Sequence, residues 1–529
     1  MENLIWPIGY LMLIAYAPVV YASAKAAAGG RWRNVTFMRS VAKDFLRTFP
    51  MTALMLIPVV AAPQFAKWYV LAVHLLFAPM LILEVAHVRQ FGARVSINTF
   101  YSLFATNAQE FREYCRQTVT FWNWVVVFSI FFVPLALIPM MPPIPPIPVK
   151  ARAIACGALF VAFLPFLRNL TKKGSRFKIS YILNPYSSFA YHYFQFKKSY
   201  AELARQIAAH SAPPFAKITS SLPADASETY VICIGESANS MHHSYCGYPR
   251  NTNEFTDGLK DEIMCIKGVR SPFAQTLPVL EKVLTFATRK EPDRLYTQGS
   301  VIDYFKEAGF KTFWISNQYA LDDNTPLTAL TAHADVQKCL CYSDLKRFER
   351  SVDGSLLPEL EKALQDGAKK KIIFLHMIGS HSAYVNRYPS EFVHFSGPVP
   401  GKELNAVQAQ MVNSYDDSIR YTDWVISQFI RQLKAHGGIS YLMYFSDHGE
   451  DIYDSTTNKV MGHSQLANLP MTSVPFMLWT SEALDKVRPD IWHRAPKTEY
   501  NLENVINTII DLASLSNPDF DKSKSILNP

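Results

Sequence analysis

Four apolar runs of this chain end in side chains able to hold a cation or move a proton. TYVICIGES (229–237) ends at Glu236, and KTFWISNQ (311–318) reaches Asn317 near its end. KKIIFLHMIGSH (370–381) ends at His381, and YLMYFSDHG (441–449) runs into Asp447-His448. Successive strand residues point to opposite faces, so an adjacent acid and imidazole can converge only where a strand gives way to a loop. Gly449, directly behind the pair, suits such a turn. Carboxylate oxygens and imidazole nitrogens meeting at one rim suit zinc or manganese. Taken singly, a strand-end acid more often caps the next helix, and a lone histidine such as His376 or His463 is more often packed. The joint occurrence of Glu236 and Ser446-Asp447-His448-Gly449, each at the end of an apolar run, is what points to a metal-dependent site.

The elements that must position these residues lie beyond about residue 205. Apolar strands alternate there with helical patterns such as SVIDYFKEAGF (300–310) and MVNSYDDSIRYTDWVISQFIRQL (411–433). That alternation predicts an α/β domain, a mostly parallel sheet with helices on both faces. In such sheets ligands gather beyond the carboxyl ends of the strands, where these residues stand.

The first 200 residues are of another kind. They hold 20 Lys+Arg against 5 Asp+Glu, while residues 201–529 hold 32 against 39, so a net +8 divides into +15 and −7. Hydrophobic residues make up 49% of the chain against 18% charged, so part of it is expected to face lipid. Apolar windows near 4–24, 48–65, 68–88, 119–140 and 151–169 predict an α-helical transmembrane domain of about five spans. The first lacks a basic flank before it and is followed by further spans, so it is not expected to be a cleaved signal peptide. Five spans put the chain ends on opposite sides, and the basic loop expected at 25–47 conflicts with an outside placement of that loop. INTFYSLFATNAQEFREY (97–114) has the spacing of an interfacial helix. Glu84 lies inside the third window, either as an intramembrane functional acid or near enough to the span end to reach head groups. Basic residues from Arg168 to Lys178 flank the last window as anchors or as a site for anionic lipid. No basic run is interleaved with aromatics, so nucleic acid is not an expected partner.

IGESANSMHHSYCGYPRNT (234–252), IGSHSAYVNRYP (378–389), NSYDDSIRYTD (413–423), YFSDHGE (444–450) and MGHSQ (461–465) resemble, in order, the block motifs of bacterial membrane phosphoethanolamine transferases. These enzymes belong to the alkaline phosphatase and sulfatase superfamily. The resemblance implies an alkaline-phosphatase-like fold over 211–529, a transmembrane domain over 1–170 and a helical linker over 171–210. It implies one or two zinc ions, manganese being the less favoured metal, with Glu236, Thr276, Asp447 and His448 as ligands. Thr276 of SPFAQTLPVLEK would be the nucleophile, and His381 and His463 would contact phosphate or handle protons. Asn317 would be a further phosphate contact. The donor would be phosphatidylethanolamine and the acceptor lipopolysaccharide, lipid A or another envelope glycan. The protein would sit in a bacterial inner membrane with its catalytic domain in the periplasm. The sequence around Thr276 departs from the family pattern, which has a glycine and more hydroxyl residues before the nucleophile and Val-Pro-Cys after it.

Rival readings stay within reach of the same residues. A phosphoglycerol transferase of the superfamily also uses a metal-bound threonine. CGYPR (246–250) suggests a sulfatase or phosphatase-type hydrolase, but it falls ten residues after Glu236, not at the nucleophile position. The seven cysteines leave Cys246, Cys265, Cys339 and Cys341 as the pairable set, with three possible connectivities.

Overall fold

A computed structural model of the chain describes residues 2–28, 35–91, 95, 99–100, 121–171, 193–198, 215, 217–319, 326–341, 352–455, 461–462, 467–494 and 496–528. These residues fall into two units, one up to Lys198 and one from 215 onward. The linker expected at 171–210 lies mostly outside the described residues.

The first unit is helical at every expected span. Its helices are Ile5–Ala28, Val35–Ala61, Ala66–Phe91 and Val149–Thr171, with a helical run over 121–140. That run is α-helical at Phe121–Val127 and Val133–Leu137, π-helical at Phe128–Phe132 between them, and 3-10 at Ile138–Met140. Among the described residues, three helical stretches are long and apolar enough to cross a membrane: Ile5–Lys25, Pro63–Arg89 and Asn123–Met140. The second expected span is shorter than predicted. Its helix carries Arg39, Lys43, Asp44 and Arg47 in its first half, leaving an apolar stretch of Thr48–Ala61. The stretch expected as a basic loop is therefore largely helix. Leu11, Ile14, Val59, Val70 and Leu81 form the interior of the unit. Trp6, Trp68, Phe121 and Trp124 face outward, as a lipid-facing surface with aromatic edges would.

Glu84 is buried, and its carboxylate accepts a hydrogen bond from the Val95 N–H at 3.2 Å. Almost all of the segment 97–114 lies outside the described residues, as do Lys172, Lys173, Arg176 and Lys178.

The second unit is built on seven strands. In chain order they are β1 (Glu228–Gly235), β2 (Ile263–Cys265), β3 (Lys311–Tyr319), β4 (Val336–Cys341), β5 (Lys370–His376), β6 (Ile439–Ser446) and β7 (Phe476–Thr480). Their order across the sheet is β2-β7-β6-β1-β5-β3-β4. The five strands from β6 to β4 run parallel, and β7 is antiparallel to both β6 and β2. β1 lies in the middle and is buried along its whole length, so its run ETYVICIG is apolar on both faces.

The two faces are covered by separate helical layers. Tyr230, Ile232 and Ile234 of β1 pack with Val279 and Leu280 of the Thr276–Val283 helix and with Val505 and Ile509 of the Val505–Leu512 helix. Val231 and Cys233 pack on the other side with Val425, Ile426 and Phe429 of the long helix Ala406–His436. That helix opens on a reciprocal cap between Asn405 and Gln408, which satisfies two otherwise orphaned donors. Cys233, Cys246 and Cys265 carry free thiols.

Candidate active site and metal centre

β1 and β6 are neighbours in register, with Gly235 opposite Ser446. The next residue on each chain is Glu236 and Asp447, so the two carboxylates leave the sheet side by side. Ligand atoms of Glu236, Asp447 and His448 all lie within 4.8 Å of one another. His448 Nε2 is 3.2 Å from Glu236 Oε1 and 3.7 Å from Asp447 Oδ2. All three residues are at most 1% exposed.

The turn after β6 does need its glycine, but for space. Gly449 does not adopt a left-handed φ. A Cβ there would stand 2.4 Å from the Pro470 carbonyl oxygen and 2.9 Å from that of Ser473. Ser237, just after Glu236, takes the strained φ of +58°. In that conformation its Oγ donates to Glu236 Oε1 at 2.7 Å while its N–H donates to Asp447 Oδ1 at 3.2 Å. The Tyr415 hydroxyl fixes the same turn, donating to the Ser237 carbonyl and accepting from the Asn239 N–H, each at 2.7 Å.

Two buried carboxylates and one imidazole form an unbalanced set. Burial pushes Glu236 toward its neutral form, but the charge and hydrogen bond of His448 outweigh it and hold this carboxyl well below its ordinary range. Burial and the Glu236 charge push Asp447 up to about 8. Burial opposes the charged form of His448, yet the two carboxylates carry its pKa up to about 10. Asp447 Oδ2 is buried without a hydrogen-bond partner. An orphaned carboxylate oxygen beside a second carboxylate and an imidazole is a donor set that a dication completes. The residues present therefore fit a zinc ion.

Thr276 reaches the same place from the other layer. It is the first residue of the Thr276–Val283 helix, whose early Pro278 is compatible with a first turn. Its Oγ1 donates to Glu236 Oε2 at 2.9 Å. Gln318 Nε2 donates to the same oxygen at 3.2 Å and to the Met377 carbonyl at 2.8 Å.

His381 stands on the loop after β5, half-buried, with no partner at Nδ1. His463 lies outside the described residues. Asn317 sits elsewhere than expected. It is fully buried and donates from Nδ2 to Asp353 at 2.8 Å, and its Oδ1 accepts from Ser355 Oγ at 3.3 Å. Strand parity explains the difference. Phe313 and Ile315 of β3 pack into the Val425 layer, and Asn317 follows them, whereas Trp314 packs on the Thr276 side and Gln318 follows it. Sequence reasoning thus named Asn317 and missed Gln318, Ser237 and Asp353. Counting alternate residues from Trp314 would have found Gln318.

Comparison with known proteins agrees with this geometry. The sequence profile of the sulfatase family matches residues 228–515. The phosphoethanolamine transferase EptC of Escherichia coli K12 is 29% identical over 500 residues, 90% of this chain and 85% of its own length. The crystal structure of the C-terminal periplasmic domain of E. coli EptC, in complex with Zn, aligns with a TM-score of 0.57 at 34% identity, covering 60% of this chain and 91% of that domain. The full-length integral membrane lipooligosaccharide phosphoethanolamine transferase A (EptA) of Neisseria meningitidis shares the fold, with a TM-score of 0.71 over 98% of both chains at 19% identity. The chain belongs to the sulfatase family and, within it, to the membrane phosphoethanolamine transferases of the EptC type.

Proposed function

We propose that the chain transfers phosphoethanolamine from phosphatidylethanolamine to an envelope acceptor, lipid A or the lipopolysaccharide core, through a phosphothreonine at Thr276. The observation that carries this reading is the Thr276 hydroxyl, set at a helix start 2.9 Å from Glu236. A zinc ion held by Glu236, Asp447, His448 and Thr276 would supply the positive charge that makes a threonine hydroxyl acidic enough to react.

The residues of the chain then divide the work. Glu236 Oε2 accepts the Thr276 proton, which orients the hydroxyl oxygen outward from the carboxylate. Thr276 Oγ attacks the donor phosphorus as the bond from phosphorus to the diacylglycerol oxygen breaks. The Thr276 and Leu277 N–H groups at the helix start favour the charge that gathers on the phosphoryl oxygens. His381 gives a proton to the leaving oxygen, so that a neutral lipid alcohol departs. In the second half-reaction His381 or His463 removes a proton from the acceptor, which attacks the phosphothreonine and restores the Thr276 hydroxyl. The three apolar helical stretches fit anchorage in a bacterial inner membrane, with the catalytic unit in the periplasm where both lipids are at hand.

The test is to catch the intermediate. Full-length protein with zinc and phosphatidylethanolamine, but no acceptor, is expected to carry phosphoethanolamine on the peptide containing Thr276. Thr276→Ala is expected to lose the adduct and to slow transfer at least about a thousandfold. Transfer at the wild-type rate by Thr276→Ala would refute the reading. An adduct formed only from phosphatidylglycerol would favour the phosphoglycerol alternative.

A further inference from the structure

The loop that carries His381 is suspended by its backbone. The Met377 N–H donates to the Ile234 carbonyl at 2.9 Å, and the Ser380 N–H donates to the Glu236 carbonyl at 2.8 Å. Between them, the Ile378 N–H donates to Asp353 Oδ1 at 2.9 Å and the Gly379 N–H to Asp353 Oδ2 at 2.8 Å. Beyond them, Arg387 donates from Nε to the His381 carbonyl and from Nη2 to the Ser382 carbonyl, each at 3.1 Å. Gly379 adopts φ of +51°, and a Cβ there would lie 2.6 Å from the Glu236 carbonyl oxygen. The loop therefore lies directly on the backbone of Glu236.

Asp353 is 1% exposed, and its two oxygens accept from the loop backbone and from Asn317. It lies in the Asp353–Leu356 turn, remote in sequence from every strand end at the site. Its third donor is Asn317 Nδ2, at 2.8 Å on Oδ1. Three N–H groups converge on its two oxygens, so a carboxylate fits here and an amide does not: an asparagine would turn its own N–H₂ toward one of them. We propose that Asp353, with Arg387, is a positioning residue of the transferase, setting the His381 loop against Glu236 so that the imidazole meets the reacting oxygen. This rests on the role given above to His381. Asn317 serves the same purpose at one remove, by holding Asp353 from the strand side.

The test is a double-mutant cycle on the full chain in detergent with zinc, measuring single-turnover transfer from labelled phosphatidylethanolamine. Asp353→Asn alone is expected to slow the chemical step about 30-fold or more, leaving the donor concentration at half-maximal rate within about threefold. In a His381→Ala background the same change is expected to cost less than about threefold, because the group it positions is gone. Zinc content per chain is expected to stay at the wild-type value. Arg387→Lys, which alters the same loop through its carbonyls, is expected to show the same coupling, and it carries the test if Asp353→Asn does not fold. Losses that multiply in the double variants, or zinc content that falls with the rate, overturn the proposal. Wild-type transfer by His381→Ala would instead remove the role of His381 itself.

Discussion

His242 has no exposed surface and lies between two carboxylates. Its Nδ1 is 2.6 Å from Asp416 Oδ1 and its Nε2 is 3.1 Å from Asp454 Oδ1. Arg250 and the Tyr248 hydroxyl donate to the other oxygen of Asp416, and Lys402 pairs with Asp454. Burial lowers the imidazole pKa, but the carboxylates outweigh it and raise it to about 9. Asp454 is correspondingly held at about 2, against its own burial, by His242 and Lys402. An unfolded histidine titrates near pH 6.5. The folded chain binds this proton more tightly, so the stabilisation is complete below about pH 6.5 and is lost as pH rises through about 9. A rise of that size corresponds to about 3 kcal/mol. The stability difference between wild type and His242→Gln is therefore expected to shrink by roughly that amount between pH 6 and pH 10, read by tryptophan fluorescence in denaturant. A difference that does not change with pH would show that the fold does not raise the imidazole pKa. The pairing itself was not legible in the sequence, because His242 and Asp416 lie 174 residues apart and nothing local marks either as a partner. Glu236, Asp447 and His448 were legible because each ends an apolar strand, where a charged side chain has no packing role. Asp353 was hidden for the opposite reason, since it belongs to no strand end and meets the His381 loop through backbone groups that folding brings to it.

Among the elements, the apolar helices were legible from their composition, and what joins them was not. His74 of the Ala66–Phe91 helix is fully buried. Its Nδ1 accepts from the Tyr10 hydroxyl of the Ile5–Ala28 helix at 2.5 Å, and its Nε2 donates to the Phe131 carbonyl at 2.9 Å. Phe131 lies in the π-helical stretch Phe128–Phe132. A π turn widens the helix locally and leaves backbone groups poorly matched, which a side chain from a neighbour can satisfy. One imidazole thus joins three helical segments through both ring nitrogens. Hydrogen bonds of this kind between apolar helices contribute about 1 kcal/mol each, because the unfolded chain finds other partners. His74→Leu removes both and is expected to lower the stability of the full chain in detergent by about 2 kcal/mol, while Tyr10→Phe removes one and costs about half as much. Equal losses for the two variants, or none, would assign the contact no such part. The soluble layers were easier to read. The continuous apolar run of β1 and the helical spacing of Ala406–His436 assigned each to its place, and parity then decided which of Asn317 and Gln318 meets Glu236.

Across the whole molecule, the charge division of +15 before residue 201 and −7 after it separates a lipid-compatible part from a mildly acidic catalytic one. The acidity of the second part gathers partly at the site, where it is not balanced. Asp447, buried and beside Glu236, has its carboxyl raised to about 8, so the folded chain is strained by ionising it at neutral pH. A dication at Glu236, Asp447 and His448 reverses the sign of that interaction, because both carboxylates are then favoured in their charged forms. Metal binding and folding are therefore linked. At free zinc a thousandfold above the dissociation constant, the linkage is worth about 4 kcal/mol. In a unit of this size that corresponds to an unfolding temperature higher by about 6 °C. Removing zinc with a chelator is expected to lower the unfolding temperature by about that amount and to abolish transfer, and re-adding zinc is expected to restore both. Asp447→Asn separates the two effects, since it removes the charge while keeping the Oδ1 that accepts from the Ser237 and His448 N–H groups. Without zinc this variant is expected to be at least as stable as the wild type, and with zinc it is expected not to gain. A wild-type unfolding temperature that ignores zinc, or a full zinc response from Asp447→Asn, would mean that these three side chains do not hold the ion.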